Sequence, residues 1–323
     1  MNCLFCSAGR RAELLKDFRQ SLPAGSRIIA TDMSSYAPAI YFADRHYLVP
    51  GIHDPAYLDC IIDICKKESI DAITTLIDPE IEILAQNRGV FEEMGITVLA
   101  PYEHTAALCF DKFALYNHLK ACGIATPITY GSYEAAAEAI CSGALTLPVF
   151  VKPRTGSGSV GARRVYSMEE LKEACEADPS LIVQELMECT DMDADIYIDT
   201  ITHKPVSIFT KRKLETKIGG ASKTISFKDE AAVEFICNAL QHFQFNGPID
   251  MDLFYRDGNY YLSEINPRFG GAYLHAYGAG VDFVKLIENN VNGIANEPCF
   301  GNYEEDVVMM MYDSVVVRKI TTE

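Results

Sequence analysis

Up to about residue 100, short apolar runs alternate with stretches whose apolar residues recur every three or four positions. The runs Cys3–Cys6, Arg27–Thr31, Tyr47–Val49, Ala72–Ile77 and Thr97–Leu99 predict strands. Ala12–Gln20, Tyr57–Lys67 and Glu80–Phe91 predict helices among them. Strands separated by single helices pack as a parallel βαβ sheet. Ligands of such sheets sit beyond the carboxyl ends of the strands. Those positions hold Ser7, Gly9, Arg10 and Arg11, then Asp32, then Asp78 and Glu80. The acids also suit helix N-termini, whereas two adjacent arginines suit a carboxylate or phosphate. One glycine in the first loop falls short of the three spaced glycines of a dinucleotide fingerprint, and an NAD reading fails on it.

The pattern changes across Pro101–Asp111. Helices are predicted over Lys112–Cys122, Tyr133–Cys141 and Met168–Ala177, interleaved with strands Pro148–Pro153, Ala162–Tyr166 and Leu181–Leu186. Lys152 leads into Arg154-Thr-Gly-Ser-Gly-Ser-Val-Gly161, a loop rich in exposed backbone N–H groups of the kind that cover phosphates. It is not a P-loop, whose lysine follows the glycines and opens a helix. Farther on, Asp195–Ile201 and Val206–Phe209 predict strands, with Asp191 and Asp193 in a solvated acidic loop and Lys211–Lys213 as a basic patch. The polar segment Glu215–Ser226 predicts a loop over a site. Ala231–Phe243 and Ala276–Asn290 predict helices, and Val307–Val317 an apolar final strand.

Residues 248–271 carry the sharpest alternation. Ile249, Met251, Leu253 and Tyr255 alternate with Asp250, Asp252 and Phe254, Arg256-Asp257-Gly258-Asn259 makes a turn, and Tyr260–Ile265 returns. Side chains alternate across a strand, so Asp250 and Asp252 share one face, as do Glu264 and Asn266 on the return strand. Carboxylates facing each other across a ladder repel. A hard divalent cation removes that repulsion, and such oxygen ligands suit Mg²⁺. A merely solvated hairpin face is the alternative.

Composition narrows the partners. Hydrophobic residues make 49% and charged residues 23% of the 323-residue chain, which is ordinary for a globular enzyme. The net charge of −17 makes nucleic acid and anionic membranes poor partners. Eleven scattered cysteines, including Cys3-x-x-Cys6 inside an apolar strand, fit core thiols of a reducing compartment. With no basic leader and no run near about 18 apolar residues, a cytoplasmic protein is expected.

Taken in order, a βαβ domain, Asp111-Lys112, Val151-Lys152-Pro153 with its Gly/Ser loop, Gln184-Glu185 and Asp252…Glu264-x-Asn266-x-Arg268 resemble the ATP-grasp superfamily. The likeness is to the branch similar to the carbamoyl-phosphate synthase large subunit, and it covers nearly the whole chain. It implies an α/β ATP-grasp fold with a Rossmann-like parallel-sheet domain (1–104), a central lid subdomain (105–185) and an α+β antiparallel-sheet subdomain (186–323). It also implies roles. Lys112 and Lys152 would contact ATP phosphates, with Ser157, Gly158 and Gly161 closing over them. The main chain of Gln184, Glu185, Leu186 and Met187 would hold adenine. Asp195 would bind ribose, although that residue is usually a glutamate nearer the hinge and 188–194 reads as an insertion. Asp252, Glu264 and Asn266 would hold Mg²⁺, or Mn²⁺ in its place. Arg268 and Lys152, with Arg212, would serve catalysis, and Arg10, Asp78 and Glu80 would contact substrate.

The implied reaction is ATP-dependent joining of a small carboxylate to an amine through an acyl phosphate. Carboxyphosphate or carbamate chemistry, or a non-catalytic nucleotide-binding regulatory subunit, are the alternatives. The acidic surface and apolar final strand permit a homodimer.

Overall fold

The computed structural model describes residues 1–156, 158, 160–217 and 220–319. Its first sheet is parallel, with strands β1 (Asn2–Cys6), β2 (Arg27–Asp32), β3 (Arg45–Leu48), β4 (Ala72–Thr75) and β5 (Thr97–Val98) in the order β3-β2-β1-β4-β5. Alternate residues of β1 feed two different cores. Phe5 meets Phe18 edge-on at 4.7 Å, whereas Leu4 packs with Tyr57 and Ile61 on the other side. A strand covered on both faces has no polar side, which is why it reads as one apolar run. Burial pushes the Cys3 thiol up to about 12, as expected of a core thiol rather than a reactive one.

A small antiparallel sheet follows, with β6 (Thr129–Tyr130), β7 (Val149–Pro153), β8 (Arg163–Val165) and β9 (Leu181–Glu185) in the order β6-β9-β7-β8. The third sheet is also antiparallel. It contains β10 (Thr190–Ile198), β11 (Pro205–Lys217), β12 (Gly220–Phe227), β13 (Gly247–Arg256), β14 (Asn259–Asn266) and β15 (Val308–Met310), in the order β14-β13-β10-β11-β12-β15. The first and third sheets are joined by a shared core. Phe18 of the first domain lies 5.5 Å from Phe269, which continues to Tyr273 and Phe283. That packing brings the carboxyl ends of β1 and β4 against the segment that follows β14.

Several elements differ from the sequence expectation. The helix expected over Glu80–Phe91 is two, Asp78–Gln86 and Arg88–Glu93, parted at Asn87, whose side chain donates to the Ile83 carbonyl at 2.8 Å. Of residues 188–194, those from Thr190 on belong to one continuous strand, Thr190–Ile198, not to an acidic loop. Of the segment Glu215–Ser226, residues 215–217 and 220–226 are likewise ladder, not loop, and 218–219 lie outside the described residues. Most of its buried positions are polar, namely Ser222, Thr224 and Ser226: Thr224 bonds His275 at 2.7 Å and Ser226 donates to the Glu304 carbonyl at 2.8 Å. Alternation of apolar with polar residues therefore never shows there. The apolar final strand shrinks to Val308–Met310, since β12 pairs with it only from Lys223 to Ile225. Beyond it Val317 is 94% exposed. The helical stretch near the C-terminus is split into Tyr273–Gly278 and Phe283–Val291 around Gly280, whose φ is +92°.

Candidate active site

Strands β10, β11, β13 and β14 place one row of charged side chains on a single face. In register, Asp193 stands opposite Asp252 and Asp195 opposite Asp250, while Asp252 faces Glu264 and Asp250 faces Asn266. Repulsion among so many carboxylates is offset from β11. Lys211, 0% exposed, pairs with Asp195 and, at 3.3 Å, with Asp193. Lys213 pairs with Asp252 and, at 3.1 Å, with Asp191. Burial would lower both ammonium groups, but the facing aspartates outweigh it and hold them above their ordinary value. Burial lifts Asp195 to about 6 against the pull of Lys211. It lifts Asp250 much further, helped by the negative charge of Asp193.

Arg212 is a correction. It lies between the two lysines, so strand alternation turns it to the opposite face, over the Phe227 ring at 4.8 Å. Asp195 is a second correction, since it is 1% exposed and spent on Lys211. Of the three β10 aspartates, the accessible one is Asp191, with 42% of its side chain exposed and the position closest to the end of β9. Glu80 is a third. Its carboxyl is fully buried and accepts from Tyr57 and Thr75, so it faces the core of the first domain. Arg10 is exposed, and its neighbour Arg11 instead donates to the carbonyls of Phe269 at 2.8 Å and Gly270 at 2.6 Å. Burial, then the like charge of Arg268, lowers Arg11 to about 10.

The remaining residues converge. Lys152 is 8% exposed at the end of β7 and feels Glu264 and Asp252 as its attractive charges, although burial still lowers it. The Lys112 ammonium donates to the Gly156 carbonyl at 2.6 Å and lies 3.8 Å from Glu264. Its helix is started by Asp111, which accepts from the N–H groups of Phe113 and Ala114 and pairs with Arg154 at 2.6 Å. Asp78, Lys112, Gly156, Glu264, Asn266 and Pro267 line a cleft of about 20 Å³. Gly156, Gly158 and Gly161 all adopt positive φ, and Ser157 lies outside the described residues.

At the end of β9, Gln184 is buried and donates to Thr129 at 2.9 Å, and Glu185 accepts from the Ile128 N–H at 2.8 Å. Strand β9 ends at Glu185, which leaves the main chain of Leu186 and Met187 outside the ladder. Phe254, on the Asp252 face, is paired with Tyr261, and Arg256 covers the Tyr261 ring at 5.1 Å while reaching Glu185 at 3.4 Å.

Asp252, Glu264 and Asn266, expected from sequence as metal ligands, lie on facing positions of β13 and β14. Asn266 donates to Asp252 at 3.4 Å, and Lys213 and Lys112 stand where positive charge is needed. Hard oxygen donors in this number suit Mg²⁺, which takes few protein carboxylates and completes its shell with phosphate and water. Among the described residues, no group of three His, Cys, Asp or Glu side chains stands at metal-binding spacing, so an all-protein cage is not what this face offers. Close approach also shapes the segment after Asn266. A Cβ on Gly270 would lie 2.7 Å from Asp250 Oδ1 and 2.9 Å from Asp195 Oδ1, so a side chain has no room there.

The sequence names Lys211, Lys213, Asp191 and Asp250 only as a basic patch, an acidic loop and a hairpin face, without a place in this charged row. The alternate spacings Asp191-x-Asp193-x-Asp195 and Lys211-x-Lys213 signal the first three, and Asp250-x-Asp252 the fourth.

Comparison with known proteins places this geometry. Residues 3–99 match the PylC-like N-terminal domain, and residues 109–272, more than half the chain, match the ATP-grasp domain. A putative D-alanine–D-lactate ligase of Streptomyces coelicolor is 32% identical over 109 residues, 34% of this chain and 31% of that protein. The 3-methyl-D-ornithine–L-lysine ligase of Methanosarcina acetivorans is 27% identical over 183 residues, 57% of this chain and 44% of that protein. The chain thus spans less than half the length of these curated relatives. N5-carboxyaminoimidazole synthetase from Staphylococcus aureus, solved with ADP, shares the fold with a TM-score of 0.76 at 17% identity, over 96% of this chain and 81% of that one. The chain belongs to the ATP-grasp family.

Proposed function

We propose that this chain is an ATP- and Mg²⁺-dependent ligase that activates a small carboxylate as an acyl phosphate and joins it to an amine. The observation that carries the reading is the meeting of Lys112, Glu264 and Asn266 around one cleft, with Lys152, from a third segment, near enough to feel the charges of Glu264, Lys112 and Asp252. The names of its relatives, ligases among them, support it.

A carboxylate resists an amine until one of its oxygens becomes a leaving group. Its oxygen attacks the γ-phosphorus and ADP departs; the amine then attacks the acyl carbon, phosphate departs and a proton is released. Bound Mg²⁺, held by Asp252, Glu264 and Asn266, would neutralise charge on the phosphate oxygens, and Mn²⁺ would suit the same donors. Lys152 and Lys112 bind and orient the phosphates, and Lys213 joins them from the opposite strand. Arg268 meets the developing charge at the transferring phosphoryl. The Gly/Ser loop between β7 and β8 would exclude water from the acyl phosphate. Leu186 and Met187 offer main-chain groups for adenine, and Asp191, in place of Asp195, a carboxylate for ribose. Eleven free cysteines fit a cytoplasmic setting, and the assembly we favour is a homodimer. Among the described residues no helix is long and apolar enough to cross a membrane.

The test is ADP release with Mg²⁺-ATP across a panel of carboxylates and amines, with Glu264→Ala alongside. We expect turnover that needs one acid and one amine and disappears in the variant. Tight ATP binding without turnover on any pair, or no ATP binding at all, would contradict the reading.

A further inference from the structure

Asp78 opens the helix Asp78–Gln86 in the first domain, next to a proline. An acid there ordinarily serves the helix end. Here it accepts no backbone N–H among the described residues; the hydrogen bond its carboxylate receives comes from Arg268, across the domain junction. Arg268 Nη2 donates to Oδ2 at 3.2 Å, and Nε lies 2.7 Å from Oδ1. The second contact is an ion pair whose N–H is not aimed at the oxygen, so Oδ1 remains without an aligned donor. Both side chains are largely buried, which makes the pair far less screened than a surface one.

Arg268 is fixed on its other side as well. Nη1 donates to the Phe269 carbonyl at 3.1 Å and stands 3.7 Å from Asp250. The Arg268 N–H returns to the Asn266 carbonyl at 2.8 Å, tying the arginine to the metal-ligand candidate two residues earlier. Nη1 and Nη2 each keep one further N–H, which together form the edge a planar carboxylate or phosphoryl oxygens would take bidentately. The junction is reciprocal. Arg11 of the first domain holds the carbonyls of Phe269 and Gly270, and Asp78 of the same domain holds the side chain of Arg268.

We propose that Asp78 is the positioning residue for Arg268, so that the first domain sets the orientation of the guanidinium that meets the transferring phosphoryl group. This rests on the ligase reading. In this role Asp78, although it lines the cleft, acts through Arg268 rather than on the substrate expected of it from sequence.

The experiment is a double-mutant cycle of wild type, Asp78→Ala, Arg268→Ala and the double variant, read both as ADP release and as thermal stability, with Asp78→Asn added. A misplaced catalytic group costs up to about 100-fold, so we expect Asp78→Ala to lower kcat about 10–100-fold while KM for ATP stays within about 2-fold. Asp78→Asn keeps an oxygen for Nη2 and should recover part of the loss. The double variant should be no slower than Arg268→Ala, because the two losses are one. Multiplicative losses in kcat, or an unchanged kcat in Asp78→Ala, would overturn the positioning role. Absence of turnover in wild type would instead sink the ligase reading and this inference with it. The stability cycle reads the pair without any turnover, and strictly additive melting shifts would show that the pair does not form.

Discussion

On strand β10, Met192, Ala194, Ile196 and Ile198 point into an apolar core, while Asp191, Asp193 and Asp195 between them point at the lysines of β11. The same division runs through β13, where Ile249, Met251 and Leu253 oppose Asp250 and Asp252, and through β14, where Leu262 and Ile265 oppose Glu264 and Asn266. One face contributes about 1.5–3 kcal/mol for each large side chain it buries. The other gathers charge that is costly to desolvate and survives only through pairing. A pleated sheet allows both because its side-chain period is two, so rigidity on one side can hold reactive groups in place on the other.

That division can be broken from either face. The largest effect on stability should come from the charged face. Lys211→Met leaves Asp193 and Asp195 buried without their cation, and breaking a buried pair typically costs about 3–5 kcal/mol. Urea denaturation should show that loss at neutral pH and a partial recovery in acid, where the stranded carboxylates take up protons. On the apolar face, Leu262→Ala should cost about 2–5 kcal/mol with no such recovery, since a cavity does not titrate. Equal pH dependence in the two variants would show that the faces do not differ as described.

A smaller effect sharpens the comparison from outside the sheet. Burial, despite a hydrogen bond from Ser7, raises Glu80 from 4.5 to about 7. The folded chain therefore keeps a proton that the unfolded chain releases, and stability falls as pH rises from 4.5 through about 7. Glu80→Gln is neutral throughout, so its unfolding free energy should lack that decline between about pH 4.5 and about pH 7. A slope identical to wild type would place the titrating carboxyl elsewhere.

The strands of the parallel sheet are legible in the sequence because they are buried on both faces, and β13 because its alternation is regular; β14 keeps it only across a bulge between Leu262 and Glu264. Asp252 and Glu264 therefore read as acids on the two arms of one hairpin, and the structure pairs them. Alternation failed as a signal where the buried face is itself polar. Thr224, Ser226, Lys211 and Asp193 are all buried, yet each reads as a surface residue. That is why β11 reads too short and β12 as a loop, and why nothing in the pattern singles out Lys211 and Lys213 over Arg212; the ribose role of Asp195 comes from the resemblance alone. Arg268 was readable as a motif residue, but its partner Asp78 lies 190 positions away and only the packing of Phe18 on Phe269 brings them together.

The most direct measurement is Mn²⁺ binding to the ADP-loaded protein by water-proton relaxation, in wild type, Glu264→Gln and Arg212→Ala. If chemistry is confined to one face, Glu264→Gln should weaken Mn²⁺ by about 10-fold or more, and Arg212→Ala, on the reverse of the same strands, should stay within about 2-fold of wild type. Equal weakening in both variants, or wild-type affinity in Glu264→Gln, would contradict the account.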